Sequence, residues 1–365
     1  MSKTRPVLSF GTLPTPLAKA QTQAVIDRLQ DEHPRLACQM TIVPSPSRSA
    51  TLTREPFFAA SATDVQYLEE QLVAKDFRFV VVRAGDLVLP LREGVTYAAV
   101  PARDTPFDAF LNRQGMILDD MPDQVVIGVM NLRTKIQMKA LWPRLNFRII
   151  PGGIDNALEL FLRHCELDGL VVPAATAEHL GIQGIVSEIF YPEMMLPSSG
   201  QGILVVLGRE EDHEGCKLLK SLHSEATFLE MEAEHAYMQR FASDQDLPVS
   251  VLAQVDRNRI SITGAIASLH STANQEVIEG KALQASQLGT ELAEKLLMSG
   301  EAVIDLLEAD FPDGLPEEFE ADDTMADETV DLFTSDSHFD NSEFFPDEMP
   351  DEVPDEVPDD LPPRI

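Results

Sequence analysis

A chain of 365 residues is long enough for two or three ordinary domain cores. Its net charge of -33 is uneven: the first 309 residues hold 40 acids against 27 bases, and residues 310–365 hold 21 acids against Arg364 alone. Clustered Lys and Arg for neutralising phosphates are missing, so no nucleic-acid partner is expected. Cys38, Cys165 and Cys216 are too few and too scattered for a disulfide framework or a metal knuckle, so no metal site is expected and a reducing compartment is the plainest assignment.

Met1 to Pro6 carries no apolar signal core, and no later run reaches the roughly 18 apolar residues of a membrane span. A cytoplasmic protein with no membrane partner is the expectation.

Val7 to Phe10 predicts a strand, and Thr15-Pro16 predicts the capped start of a helix bearing Leu17, Ala20, Val25 and Leu29. Leu36 to Val43 repeats the strand signal, Thr63 with Gln66 predicts a capping box, and Phe77 to Val82 predicts a buried strand. Residues 125–129, 133–141, 147–150, 154–165 and 169–172 then read as strand, helix, strand, helix, strand. That alternation predicts an α/β lobe with a parallel or mixed sheet.

Leu196-Pro197-Ser198-Ser199-Gly200-Gln201-Gly202 runs into the apolar stretch Ile203 to Leu207, which predicts a turn or pivot feeding a core strand. A long helix over 221–241, strands over 249–255 and 259–267 and a helix over 285–298 make a small α+β unit. From Asp310 the apolar residues are isolated among acids, and Pro-acid-acid-apolar repeats fill residues 346–361. Such a segment cannot bury enough surface to order itself, so a disordered acidic tail is expected.

Four stretches stand in order along the chain: Thr12 to Gln21, Arg103 to Phe110, Leu196 to Gly202, and Ala233-Glu234-His235-Ala236. Together, over about residues 6–309, they resemble the porphobilinogen deaminase (hydroxymethylbilane synthase) family. The resemblance implies an α/β fold of three domains: two periplasmic-binding-protein-like lobes plus a small α+β C-terminal domain, followed by the tail. The expected boundaries are 6–101 plus 203–220 for lobe 1, 102–202 for lobe 2, 221–309 for the third domain and 310–365 for the tail.

The chemistry implied is the condensation of four porphobilinogens on a dipyrromethane cofactor held by a cysteine thioether, within tetrapyrrole biosynthesis. By the resemblance Asp86 takes the place of the catalytic aspartate, and Thr15, Gln21, Arg133 and Gln201 are candidates to bind a ligand, although Thr15 is equally a helix cap. Gln245 stands at the cysteine position, and an amide has no thiolate for covalent attachment. Leu13, Thr134, Pro151, Ala157 and His179 stand where family arginines would be, and Gly85 where a lysine precedes the aspartate.

Arg83 and Lys135 add positive charge nearby, with Arg83 spaced to pair with Asp86. The expectation is a degenerate member without a dipyrromethane cofactor that no longer performs the condensation. The alternatives are an active enzyme with a non-covalent primer, or a two-lobe ligand-binding or scaffold protein. A small anionic ligand in the interlobe cleft and a protein partner for the tail complete the expectations.

Overall fold

The computed structural model describes residues 7–44, 57–241, 248–267 and 274–310. β1 (Val7–Thr12) opens the chain, and α1 (Pro16–Glu32) follows because the Thr15 hydroxyl accepts the Ala18 amide at 3.1 Å while Pro16 sits in the first turn. β2 (Ala37–Ile42), α2 (Phe57–Val73), β3 (Phe79–Arg83) and β4 (Val95–Ala99) complete the outward passage. Thr63 does not cap α2, because the helix-compatible run from Phe57 starts the helix six residues earlier.

The chain then crosses into a second lobe made of β5 (Asp108–Leu111), β6 (Val126–Val129), α3 (Leu132–Leu141), β7 (Asn146–Ile149), α4 (Gly153–Glu159), β8 (Gly169–Pro173), α5 (Ala174–Leu180) and β9 (Val186–Phe190). The helix expected over 154–165 is present, but its last turn widens: α4 gives way to a π turn at Leu160–His164, and Cys165 leaves it at φ 56°. β10 (Leu204–Arg209) then returns the chain to the first sheet.

Each lobe holds a five-stranded mixed sheet, ordered β2-β1-β3-β10-β4 in the first and β7-β6-β8-β5-β9 in the second. β1 runs parallel to β2 and β3, whereas β10 runs antiparallel to both β3 and β4. Insertion of β10 between β3 and β4 makes lobe 1 depend on a strand that follows lobe 2 in the chain. That is the out-and-back path the resemblance implies. Val80, Val82, Val205 and Leu207 pack with Leu68 and Leu72 of α2 on one face; Phe10, Val81 and Val206 pack with Val25 and Leu29 of α1 on the other. Because both faces are covered, the central strands are continuous apolar runs.

The helix expected over 221–241 is present, with a later start and a slightly earlier end. α6 (His213–Leu219) ends first, and α7 (Glu225–Gln239) begins afresh where Ser224 caps Thr227 at 3.3 Å. β11 (Val249–Asp256), β12 (Arg259–Ile266) and β13 (Asn274–Lys281) form an antiparallel sheet against which α7 and α8 (Ala285–Asp310) pack through Tyr237, Ile262, Leu292 and Leu296. α8 runs past the expected end at 298. Residues 311–365 lie outside the described residues, as does the loop bearing Gln245.

Candidate functional site

Asp86 sits on a short 3-10 turn, Ala84–Asp86, at the carboxyl end of β3. The residue that caps the turn, Arg83 at the end of β3, pairs with it. Arg83 donates from Nε to Oδ2 at 2.6 Å and from Nη2 to Oδ1 at 3.1 Å, a bidentate pair with the Arg83 side chain 36% exposed. The Asp86 charge, more than burial opposes, holds the Arg83 guanidinium protonated, and Asp155 on α4 of the other lobe adds to it.

The turn is clamped by the return crossing. The Ala84 amide donates to the Ile203 carbonyl at 2.9 Å, and Gly200, at φ +69°, approaches so closely that an added Cβ would lie 2.6 Å from the Gly85 nitrogen. His235 of α7 closes the third side, its Nε2 2.9 Å from the Ala84 carbonyl. Burial lowers the His235 pKa, which favours a neutral ring that donates from Nε2.

Beside this turn, Arg103 and the fully buried Glu234 tie three parts of the chain together. Arg103 donates to both Glu234 oxygens, at 2.7 and 3.4 Å, and to the carbonyls of Gln201 and Ala253. Glu234 in turn accepts the amides of Gly200 at 2.6 Å and Ala253 at 2.9 Å. Every oxygen of the buried carboxylate is thus occupied, and removing one partner would strand a buried charge at a cost of about 3 to 5 kcal/mol.

Arg133 and Gln201 meet on a different carboxylate, Asp108. Arg133 is 5% exposed and bonds Asp108 Oδ2 at 2.8 Å and the Leu196 carbonyl; Gln201 reaches Asp108 Oδ1 at 3.1 Å and the Pro106 carbonyl at 2.9 Å. Both side chains hold the crossing segments. Thr15 is the cap of α1, and Gln21 lies half-buried further along that helix. Lys135 is buried, and His179 bonds Asp104 at 3.0 Å.

Arg103, Asp104, Asp108 and Glu234 are the members that reasoning on residue types missed. All four lie inside the quoted stretches, so a signal was present, but their partners are far away in sequence. Among the described residues no group of three or more His, Cys, Asp or Glu could hold a metal ion, and no helix is long and apolar enough to cross a membrane. A surface cavity lined by Lys75, Arg209, Glu210, Glu211 and His213 lies at the far end of the lobe 1 sheet from Asp86, because β10 is antiparallel to β3 with Leu204 opposite Arg83.

The chain is also similar to known proteins. The family model described as "Porphobilinogen deaminase, dipyromethane cofactor binding domain" matches residues 8–217. Porphobilinogen deaminases from Roseiflexus sp. (strain RS-1) and Syntrophus aciditrophicus (strain SB) are each 31% identical, over 80% of this chain and 96% of the relative in the first case and 81% and 97% in the second. The Thermus thermophilus relative is 29% identical over 80% of this chain and 96% of its own length. Among solved structures, the methionine binding protein MetQ aligns at 12% identity and TM-score 0.36, covering 59% of this chain and 89% of that one. A putative methionine-binding lipoprotein of Bacillus subtilis aligns at 14% and 0.35, covering 61% and 94%.

The expectation of no cofactor is corrected by the family match: the matched domain is the one that binds dipyrromethane, so the family carries that group. Three of the basic groups near the crossings are already engaged within the protein. Arg133 is turned inward to Asp108, Arg83 is held by Asp86 and His179 by Asp104. The colinear stretches, the β10 return and the matches over four fifths of the chain carry one conclusion: the chain belongs to the porphobilinogen deaminase family.

Proposed function

We propose that this protein serves tetrapyrrole biosynthesis with a cleft that no longer performs the four-step condensation of its family. One observation carries the reading. Arg133, the single arginine left at the family's arginine positions, spends its guanidinium inside the protein on Asp108 and Leu196. A growing chain of acetates and propionates needs cations to meet it. If each lost charge-assisted contact is worth about 1.5 to 3 kcal/mol, five absent arginines remove on the order of 7 to 15 kcal/mol before non-additivity is discounted. The bidentate hold of Arg83 on Asp86 acts in the same direction, because a carboxylate already neutralised stabilises a cationic pyrrole less.

In this reading the interlobe cleft takes one small anionic ligand in place of a growing polyanion, with Thr15 and Gln21 as its hydrogen-bonding contacts, because the Gln201 amide is already engaged by Asp108 and the Pro106 carbonyl. The tail engages a protein partner in the cytoplasm through Phe339, Phe344 and Phe345 among their acids. Incubation of the purified full chain with porphobilinogen tests it. No consumption above the blank is expected from the parent or from Asp86→Asn. Turnover by the parent that Asp86→Asn abolishes would sink the reading and restore an active deaminase.

A further inference from the structure

The lobes touch where α1 of lobe 1 lies against α5 of lobe 2. Leu17 of α1 is buried in the apolar cluster of lobe 2, among Leu111, Met130, Ile150 and Ile154. Arg28 stands on the same face of α1, about three turns further on. Between the helices runs the outward crossing, and Asp104 is its acidic member.

The Asp104 backbone is fixed from behind, its amide donating to the Gly202 carbonyl of the return crossing at 2.8 Å. Its carboxylate then divides between the lobes. Oδ1 accepts from Arg28 Nη2 at 2.6 Å and Oδ2 meets His179 Nε2 of α5 at 3.0 Å, with Asp104 10% and His179 8% exposed. Next to it the Thr105 hydroxyl donates to Glu178 of α5 at 2.7 Å. Burial alone would raise the Asp104 pKa, but the bonds from His179 and Arg28 outweigh it and hold the carboxyl below its ordinary value.

We propose that Asp104 is an interlobe latch: one carboxylate, pinned at the crossing, fastens α1 to α5, so that the lobes stay closed without a ligand and part when its two side-chain contacts break. A residue whose oxygens serve different lobes couples them in a way that neither Arg28 nor His179 could alone. The inference stands apart from the catalytic reading above, since an active and an inactive cleft could both be latched.

Amide hydrogen exchange on the full chain, read by mass spectrometry, tests the latch. Asp104→Asn keeps the volume and one acceptor but removes the charge, and it should accelerate exchange in residues 16–32 and 174–180 by about tenfold while 249–266 stay at the parent rate. Small-angle scattering should show a more extended particle. His179→Gln spares the Arg28 contact and should accelerate 174–180 in the same direction, which decides the matter if Asp104→Asn fails to fold. Parent-like exchange in both helices would overturn the latch, as would equal acceleration in all three segments, which reports global loss of stability.

Discussion

Glu69 is an acid with no evident role in chemistry, and its environment makes a measurable claim. It is 4% exposed on α2, and its Oε1 finds no hydrogen-bond partner among the described residues. Burial raises its pKa, against the opposing backbone hydrogen bond and charge of Arg92. A carboxyl raised on folding stabilises fully below its unfolded pKa, and that contribution is lost as pH rises through the folded one. Glu69→Gln keeps the shape and removes the titration. The variant should therefore gain about 1 to 3 kcal/mol over the parent at pH 8, with the difference shrinking towards pH 4. Urea midpoints at the two pH values check it; a variant less stable at pH 8 contradicts the assignment.

At the level of elements, the return crossing decides whether lobe 1 is complete, because β10 reaches the centre of the sheet only through Gly200-Gln201-Gly202. Gly202 sits at φ +77°, and a Cβ there would lie 2.7 Å from the Asp104 carbonyl oxygen and 3.0 Å from that of Thr105. The pivot expected from two glycines is therefore also a close backbone contact between the two crossings. Gly202→Val should cost roughly 1 to 3 kcal/mol through the left-handed backbone alone, plus whatever displacement of Asp104 removes. Guanidinium unfolding measures the loss, and a midpoint equal to the parent's would mean the crossings do not meet this way. Contacts from β3, α7 and the outward crossing make this segment a junction more than a free hinge.

Across the whole chain, charge is divided between a folded part and a tail that carries most of the net negative charge. Like-charged acids spaced by prolines repel and cannot build a core. Removing residues 311–365 should leave the melting temperature within about 1 °C of the parent, since little apolar burial is lost. A fall of several degrees in calorimetry would mean that the tail docks on the folded domains. Among the described residues, the folded part draws its cohesion from apolar clusters on both faces of each lobe sheet and from the buried Arg103–Glu234 pair.

Short-range physics was legible in the residues alone. Apolar runs marked the central strands, Thr15-Pro16 marked the start of α1, and the paired glycines marked the turn before β10. Short elements such as β4, β9 and α5 escaped, because a strand or helix of five to seven residues carries too few periods to stand out. Which acid each arginine meets was a matter for packing. Arg83 found the acid three residues away, as spacing suggested, but Arg133 turned to Asp108 across 25 positions and Arg103 to Glu234 across 131. Residue spacing cannot encode such pairings, since they arise when packed sheets bring distant turns to the same few ångströms; there a ligand-binding arginine and a structural one look alike until the partner is seen.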